Sequence, residues 1–280
     1  MPVSDDAVRA EDLVLGYGST VALARSSFVI PHGKVTAVIG PNGSGKSTVL
    51  NAIAGLLEPT SGVLEVPARR SVAHRIAYVL QTTKVNDALP ITVREVVTMG
   101  RYAGVGGLQR LSKADRRAVD AAMERTGVDG FESKHLHELS GGQRQRVFVA
   151  QGLAQEHELL LLDEPLTGID LPTAQAIDEV IHDELTRGCT VVLTTHDLSE
   201  ARVADNVLLL SGWVVGSGPP DVVLTADHLT AAYGPTLLHV EEGRIFVDDP
   251  AHVPVPGRHS HRERSIHTEP SRTDLHGDQE

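Results

Sequence analysis

The chain has 280 residues, 41% hydrophobic and 22% charged, a balance that suits one large α/β domain or two small ones. Its formal net charge of −12 argues against a nucleic-acid binder, because phosphate backbones require a basic face. A single cysteine, Cys189, rules out an internal disulfide framework and points to a reducing, cytoplasmic setting.

The amino terminus, MPVSDDAVRAED, lacks the basic start and apolar core of a secretory signal. Residues 26–30 and 35–39 read as strands, as do 76–80, 159–162, 190–194 and 207–210. Several of these runs are continuously apolar, as expected of strands buried on both faces of a mostly parallel sheet. None approaches the roughly 20 apolar residues of a spanning helix, so any link to a membrane is expected through a partner.

Residues 35–39 run straight into GPNGSGKST and then into a helical stretch at 49–57. This is the GxxxxGK[ST] phosphate loop in its required strand–loop–helix setting. Gly40, Gly43 and Gly45, with Pro41, Asn42 and Ser44 between them, let backbone N–H groups turn inward toward phosphate oxygens. Lys46 supplies a point charge for the β- and γ-phosphates, Ser47 a hydroxyl for Mg²⁺, and Thr48 opens the helix whose positive end faces the anion.

Residues 87–139 read as a helical insertion, with helices expected at 92–102 and 112–126 and a glycine-rich turn at 104–107. Ser140, Gly141, Gly142 and Gln143 then precede a helical stretch at 144–153, a second helix N-terminus lined by small residues. The four leucines at 159–162 end in Asp163 and Glu164. An acid at a strand end beside a phosphate loop suits Mg²⁺, and the next carboxylate suits polarising an attacking water. Pro172 fits the first turn of a helix with Ile177, Val180, Ile181 and Leu185 on one face. Gly188 ends that helix. In its apolar run Cys189 reads as a buried structural residue and not as a ligand. After about residue 250, His252, His259, His261, His267 and His276 sit among polar residues with almost no apolar content, so 250–280 are expected to be a tail without fixed structure. Those histidines read either as a weak collector of zinc-like ions or as incidental, since their spacing fits no defined ligand set.

The string LSGGQRQRV at 139–147 resembles the signature of ABC transporter ATP-binding subunits, and the likeness extends over about residues 8–248. It implies a P-loop NTPase α/β fold: a mostly parallel core, an antiparallel β subdomain and the helical insertion, within a 1–249 domain. It also implies ATP with Mg²⁺, and roles for residues at matching positions. Tyr17 would stack on adenine. Gln81 would touch Mg²⁺ and the attacking water, and His196 would contact the γ-phosphate and steady Glu164. Ser47, Gln81 and Asp163 would hold the metal. Ser140, Gly141, Gly142 and Gln143 would close over the ATP of a second copy, with Asp170 at the seam of the homodimer. Two segments depart from the commonest wording, YVLQ before Gln81 and GID before Asp170, and both keep the polar residue.

The stretch at 90–104 resembles importers of metal ions and metal chelates, and that at 218–234 resembles manganese and zinc importers. The resemblance therefore implies a subunit on the cytoplasmic face of the membrane. Its partners would be an integral membrane permease and an extracytoplasmic metal-binding protein, with no nucleic acid. Ferric-siderophore or cobalamin uptake is the alternative cargo. A soluble ABC ATPase of repair or translation fits less well, because this chain has one phosphate loop and a short insertion.

Overall fold

The computed structural model describes residues 6–70, 75–81, 90–105, 110–234, 238–241 and 244–247. By its contacts the chain divides into Met1–Val247 and Asp248–Glu280. The second unit, with the five tail histidines, lies outside the described residues.

The chain opens with β1 (Asp6–Tyr17) and β2 (Thr20–Pro31), which pair antiparallel. β2 absorbs the short strand read at 26–30. β1 has no counterpart in the sequence reading, because a register shift between Ala10 and Leu13 breaks its alternation. Then come β3 (Val35–Ile39), α1 (Lys46–Ala54) and β4 (Ser61–Glu65), which joins β1 to complete a three-stranded sheet, β2-β1-β4.

After β5 (Ile76–Val79) follow α2 (Val93–Val105), α3 (Lys113–Arg125) and α4 (Gly141–Leu153). Ser112 and Asp115 form a reciprocal cap that starts α3. Arg101 of α2 pairs with Asp115 at 2.6 Å and donates to Ala154 O at 2.9 Å. One largely covered guanidinium thus ties α2 to the start of α3 and the end of α4. Hydrogen bonds from Ser112, then Arg101, hold the Asp115 carboxyl down at about 2.

The rest of the core is β6 (Leu159–Leu162), α5 (Leu171–Thr186), β7 (Thr190–Thr195), α6 (Leu198–Val203), β8 (Asn206–Leu210) and β9 (Val214–Gly218). Two short helices, α7 (Pro220–Val223) and α8 (Ala226–Tyr233), and a hairpin of β10 (Leu238–Glu241) and β11 (Arg244–Val247) complete it. The central sheet runs β5-β6-β7-β3-β8-β9, parallel except for β9.

The continuous apolar strands now have a physical account. Leu159 and Leu161 of β6 face a core shared with β1, β2 and α1, while Leu160 and Leu162 face a core shared with α2–α5. Side chains alternate, but both faces are covered, so every position must be apolar. Each fully buried leucine contributes roughly 1.5–3 kcal/mol. Among the described residues no helix is long and apolar enough to cross a membrane.

Candidate nucleotide site

Five parallel strands deliver their carboxyl ends to one edge of the sheet. There β5 leads toward Gln81, β6 into Asp163 and Glu164, β7 into His196, and β3 into the loop from Gly40. In open α/β sheets this edge is where ligands sit.

Gly45 has a φ of +102°, and a Cβ there would meet Ala22 O at 2.9 Å. At Gly40 a Cβ would come within 2.2 Å of Leu210 O. The loop therefore lies flush against β2 and the end of β8, and side chains at these two positions would force it away. Lys46 is only 6% exposed, and its ammonium donates to Gly40 O at 2.9 Å and Pro41 O at 3.4 Å. Burial lowers its pKa, while the nearby charges of Glu164 and Asp163 pull it part of the way back. Ser44 Oγ is buried without a hydrogen-bond partner among the described residues. An orphaned hydroxyl and inward-curling backbone are what a phosphate group would satisfy.

The acidic side of the site is one connected network. Ser47 Oγ donates to Asp163 Oδ1 at 3.2 Å. Thr194 Oγ1 donates to the same oxygen at 2.6 Å and accepts from Glu164 N at 2.8 Å. Gln81 Nε2 donates to Glu164 Oε2 at 2.8 Å. Four residues singled out from sequence are thereby joined through a fifth, Thr194, which the sequence reading passed over. Its role depends on the pairing of β6 with β7, and no local pattern carries that register. Glu164 has a φ of 48°, a left-handed backbone that is strained for a residue with a Cβ. The strained turn sets the Glu164 side chain toward Gln81.

The oxygen donors of Ser47, Asp163 and Gln81 fit a hard ion such as Mg²⁺ better than a soft one. Tyr17 is 53% exposed, and its hydroxyl accepts from Asn51 Nδ2 of α1 at 3.3 Å, which leaves the ring face open for stacking. His196 is exposed on the same edge, without a hydrogen bond to Glu164 among the described residues.

Ser140 to Gln143 open α4. Ser140 Oγ accepts from Gln143 N at 3.2 Å and Gln143 Oε1 accepts from Ser140 N at 3.0 Å, a reciprocal cap that starts α4. A Cβ at Gly142 would meet Thr173 Oγ1 at 2.7 Å, so only glycine lets α4 approach α5 this closely. Asp170 caps α5 by accepting from Thr173 N at 2.9 Å, and hydrogen bonding from the Thr173 side chain, then from its backbone, lowers the Asp170 pKa. Among the described residues no hydrogen bond joins Ser140–Gln143 to the phosphate loop of the same chain.

Thr194→Val keeps the shape but removes both Thr194 hydrogen bonds. It is expected to cost about 1–3 kcal/mol in a denaturant melt and to slow ATP hydrolysis while leaving nucleotide binding in place. A variant with wild-type stability and turnover would remove Thr194 from the network.

Fold and site together define a phosphate-loop nucleotide-binding domain. A family model described as "ABC transporter" matches residues 23–167. The chain is 40% identical over 231 residues to the zinc transport system ATP-binding protein TroB of Treponema pallidum, covering 81% of this chain and 87% of that one. It is 34% identical over 238 residues to the manganese transport system ATP-binding protein MntB of Bacillus subtilis, covering 84% and 95%. A solved structure described as an ABC transporter of the metal-chelate type, in an inward-facing conformation, superposes with a TM-score of 0.73 at 27% identity, covering 86% of this chain and 95% of that one. The chain belongs to the ABC transporter family as an ATP-binding subunit, an enzyme that hydrolyses ATP.

Proposed function

We propose that this subunit powers uptake of a metal ion, zinc or manganese, through a separate membrane permease. The observation that carries the catalytic part is the continuous network Ser47–Asp163–Thr194–Glu164–Gln81 beside a buried Lys46. The loop N–H groups and Lys46 hold the β- and γ-phosphates of ATP. Ser47, Asp163 and Gln81 hold Mg²⁺, which when bound neutralises phosphate charge. Glu164 takes a proton from the attacking water, and His196 steadies the γ-phosphate. Little covalent chemistry falls to the protein, so positioning by the strand ends supplies most of the rate.

Ser140, Gly141, Gly142 and Gln143 complete the pocket of a second copy, with Asp170 at the seam. One two-fold pairing would build both pockets from a single sequence. ATP binds the closed pair better than the open one and so drives closure. Residues 1–249 form the ATP-binding domain, with 87–139 as its helical part and 250–280 as a histidine-bearing tail. An apolar groove of about 410 Å³ along α2, lined by Pro90, Ile91, Glu95, Thr98, Met99 and Tyr102, suits the permease. Such a subunit sits on the cytoplasmic face of the membrane, and an extracytoplasmic metal-binding protein delivers the cargo.

The named functions of the zinc and manganese relatives support the cargo. Growth and uptake of labelled metal in a deletion strain test it. Restoration of zinc or manganese uptake by the wild-type gene is expected. Restoration of iron-chelate or cobalamin uptake alone would replace this reading with the second one.

A further inference from the structure

A buried polar cluster lies at the other end of the central strands, where the nucleotide chemistry does not reach. His157 precedes β6, Glu184 lies in the last turn of α5, and Cys189 directly precedes β7. Their ligating atoms all lie within 4.8 Å of one another. His157 Nε2 is 2.8 Å from Glu184 Oε2, and the Cys189 thiol donates to His157 O at 3.5 Å. The His157 and Glu184 side chains are 6% and 2% exposed, and Cys189 is 8% exposed. Backbone hydrogen bonds run from Cys189 N to Glu184 O at 3.0 Å and from Thr190 N to Glu158 O, next to His157, at 2.9 Å. The end of α5 and the starts of β6 and β7 are thereby tied together around the three side chains.

The histidine ring is oriented from both sides. Its Nδ1 lies 2.9 Å from Gln155 O while Nε2 faces the Glu184 carboxylate, so both ring nitrogens meet acceptor oxygens. A neutral imidazole has one N–H. With Nδ1–H donating to Gln155 O, the Nε2 lone pair is the one turned toward Glu184 and Cys189. Arg125 of α3 lies 2.7 Å from the other carboxylate oxygen, Oε1. Asp183 faces Arg125 at 3.5 Å.

We propose that His157, Glu184 and Cys189 form a binding site for a divalent cation of the zinc class. An imidazole, a thiolate and a carboxylate oxygen are the donor types that zinc takes, and three protein donors leave a fourth position for water. A divalent ion would displace the thiol proton as Cys189 ligates it, and Arg125 would still neutralise Glu184. The environment already favours the ligand form of the carboxylate. Burial opposes its ionisation, but His157, Cys189 and Arg125 outweigh that and hold Glu184 at about 2. Burial and then Glu184 push the free Cys189 thiol up to about 12, so the metal itself must deprotonate it. Cys189, read from its apolar run as structural alone, thereby gains a ligand role. β7 is six residues long, which at ~3.3 Å each places the site about 20 Å from His196.

The test uses the full chain, without nucleotide, and Co²⁺ as the probe. One equivalent is expected to give a thiolate-to-cobalt charge-transfer band together with the intense visible bands of a four-coordinate ion, both bleached by Zn²⁺. Cys189 is the chain's single cysteine, so the thiolate band cannot arise from the tail histidines or from the oxygen donors of the nucleotide site. Cys189→Ser should abolish the band, and His157→Gln and Glu184→Gln should each weaken Co²⁺ binding at least tenfold. Absence of the thiolate band in native wild-type protein at saturating Co²⁺ overturns the proposal, whatever the variants do. A band unchanged in both His157→Gln and Glu184→Gln overturns it as well. The readout needs neither nucleotide nor permease, so its outcome is independent of the transport reading.

Discussion

Glu164→Gln is expected to bind ATP much as the wild type does and to hydrolyse it some 10²–10⁴-fold more slowly, the usual contribution of a positioned general base. The substitution is nearly isosteric. The amide oxygen can still accept from Gln81 Nε2, as Glu164 Oε2 does at 2.8 Å, and the backbone N–H still donates to Thr194 Oγ1. The strained φ of 48° is held by that same network, so the turn should persist. Only the basicity is lost. Because the γ-phosphate is then not removed, the closed form keeps its ligand, and an ATP-dependent dimer should appear on size-exclusion chromatography. Phosphate release and chromatography read the two effects separately. Near-normal turnover would take Glu164 out of the base role, and a variant that hydrolyses slowly but stays monomeric with ATP would count against the shared site.

Lys46→Ala acts at the opposite stage and should lose nucleotide binding itself. The ammonium is buried, and its present partners are two neutral carbonyls, Gly40 O and Pro41 O. Exchanging them for phosphate oxygens replaces neutral acceptors with charged ones, and hydrogen bonds to charged groups are worth about 1.5–3 kcal/mol each. Each such bond corresponds to roughly 10- to 100-fold in affinity. The truncation also strips the charges of Asp163 and Glu164 of their nearby cation, which pushes the anionic ligand away further. Nucleotide titration by calorimetry should show binding weakened at least tenfold, with the fold intact by circular dichroism. Wild-type affinity in a folded variant would mean that the backbone cradle alone holds the phosphates.

These two residues differ in how visible they were. Lys46 announces itself, because glycines, lysine and hydroxyls in a fixed spacing between a strand and a helix leave few other uses for the pattern. Glu164 is ordinary on its own, one of two acids after a strand. Its significance comes from the company it keeps, and part of that company was not legible. Thr194 looks like any strand threonine until the pairing of Leu162 with Leu193 brings it beside Asp163. β1 was missed for a related reason. Its apolar positions slip at a bulge near Asp12, which has a φ of 49°, so no single alternation spans the strand.

The amino-acid sequence by itself carried the class of the fold and the phosphate-loop pattern of the proposed nucleotide edge. Both are written in local patterns: apolar runs that only a sheet covered on both faces can use, and a phosphate loop whose parts lie within nine residues of one another, Gly40 to Thr48. Only the tertiary structure decided which distant groups meet. Strand register placed Thr194 between Asp163 and Glu164, and the return of α5 into β7 brought Glu184 and Cys189 to His157. The physical reason is the same in both cases. A hydrogen bond or a ligand set is a matter of a few ångströms between atoms, and the residues that satisfy it lie about 30 positions apart in the chain, too far for any local spacing rule to connect them.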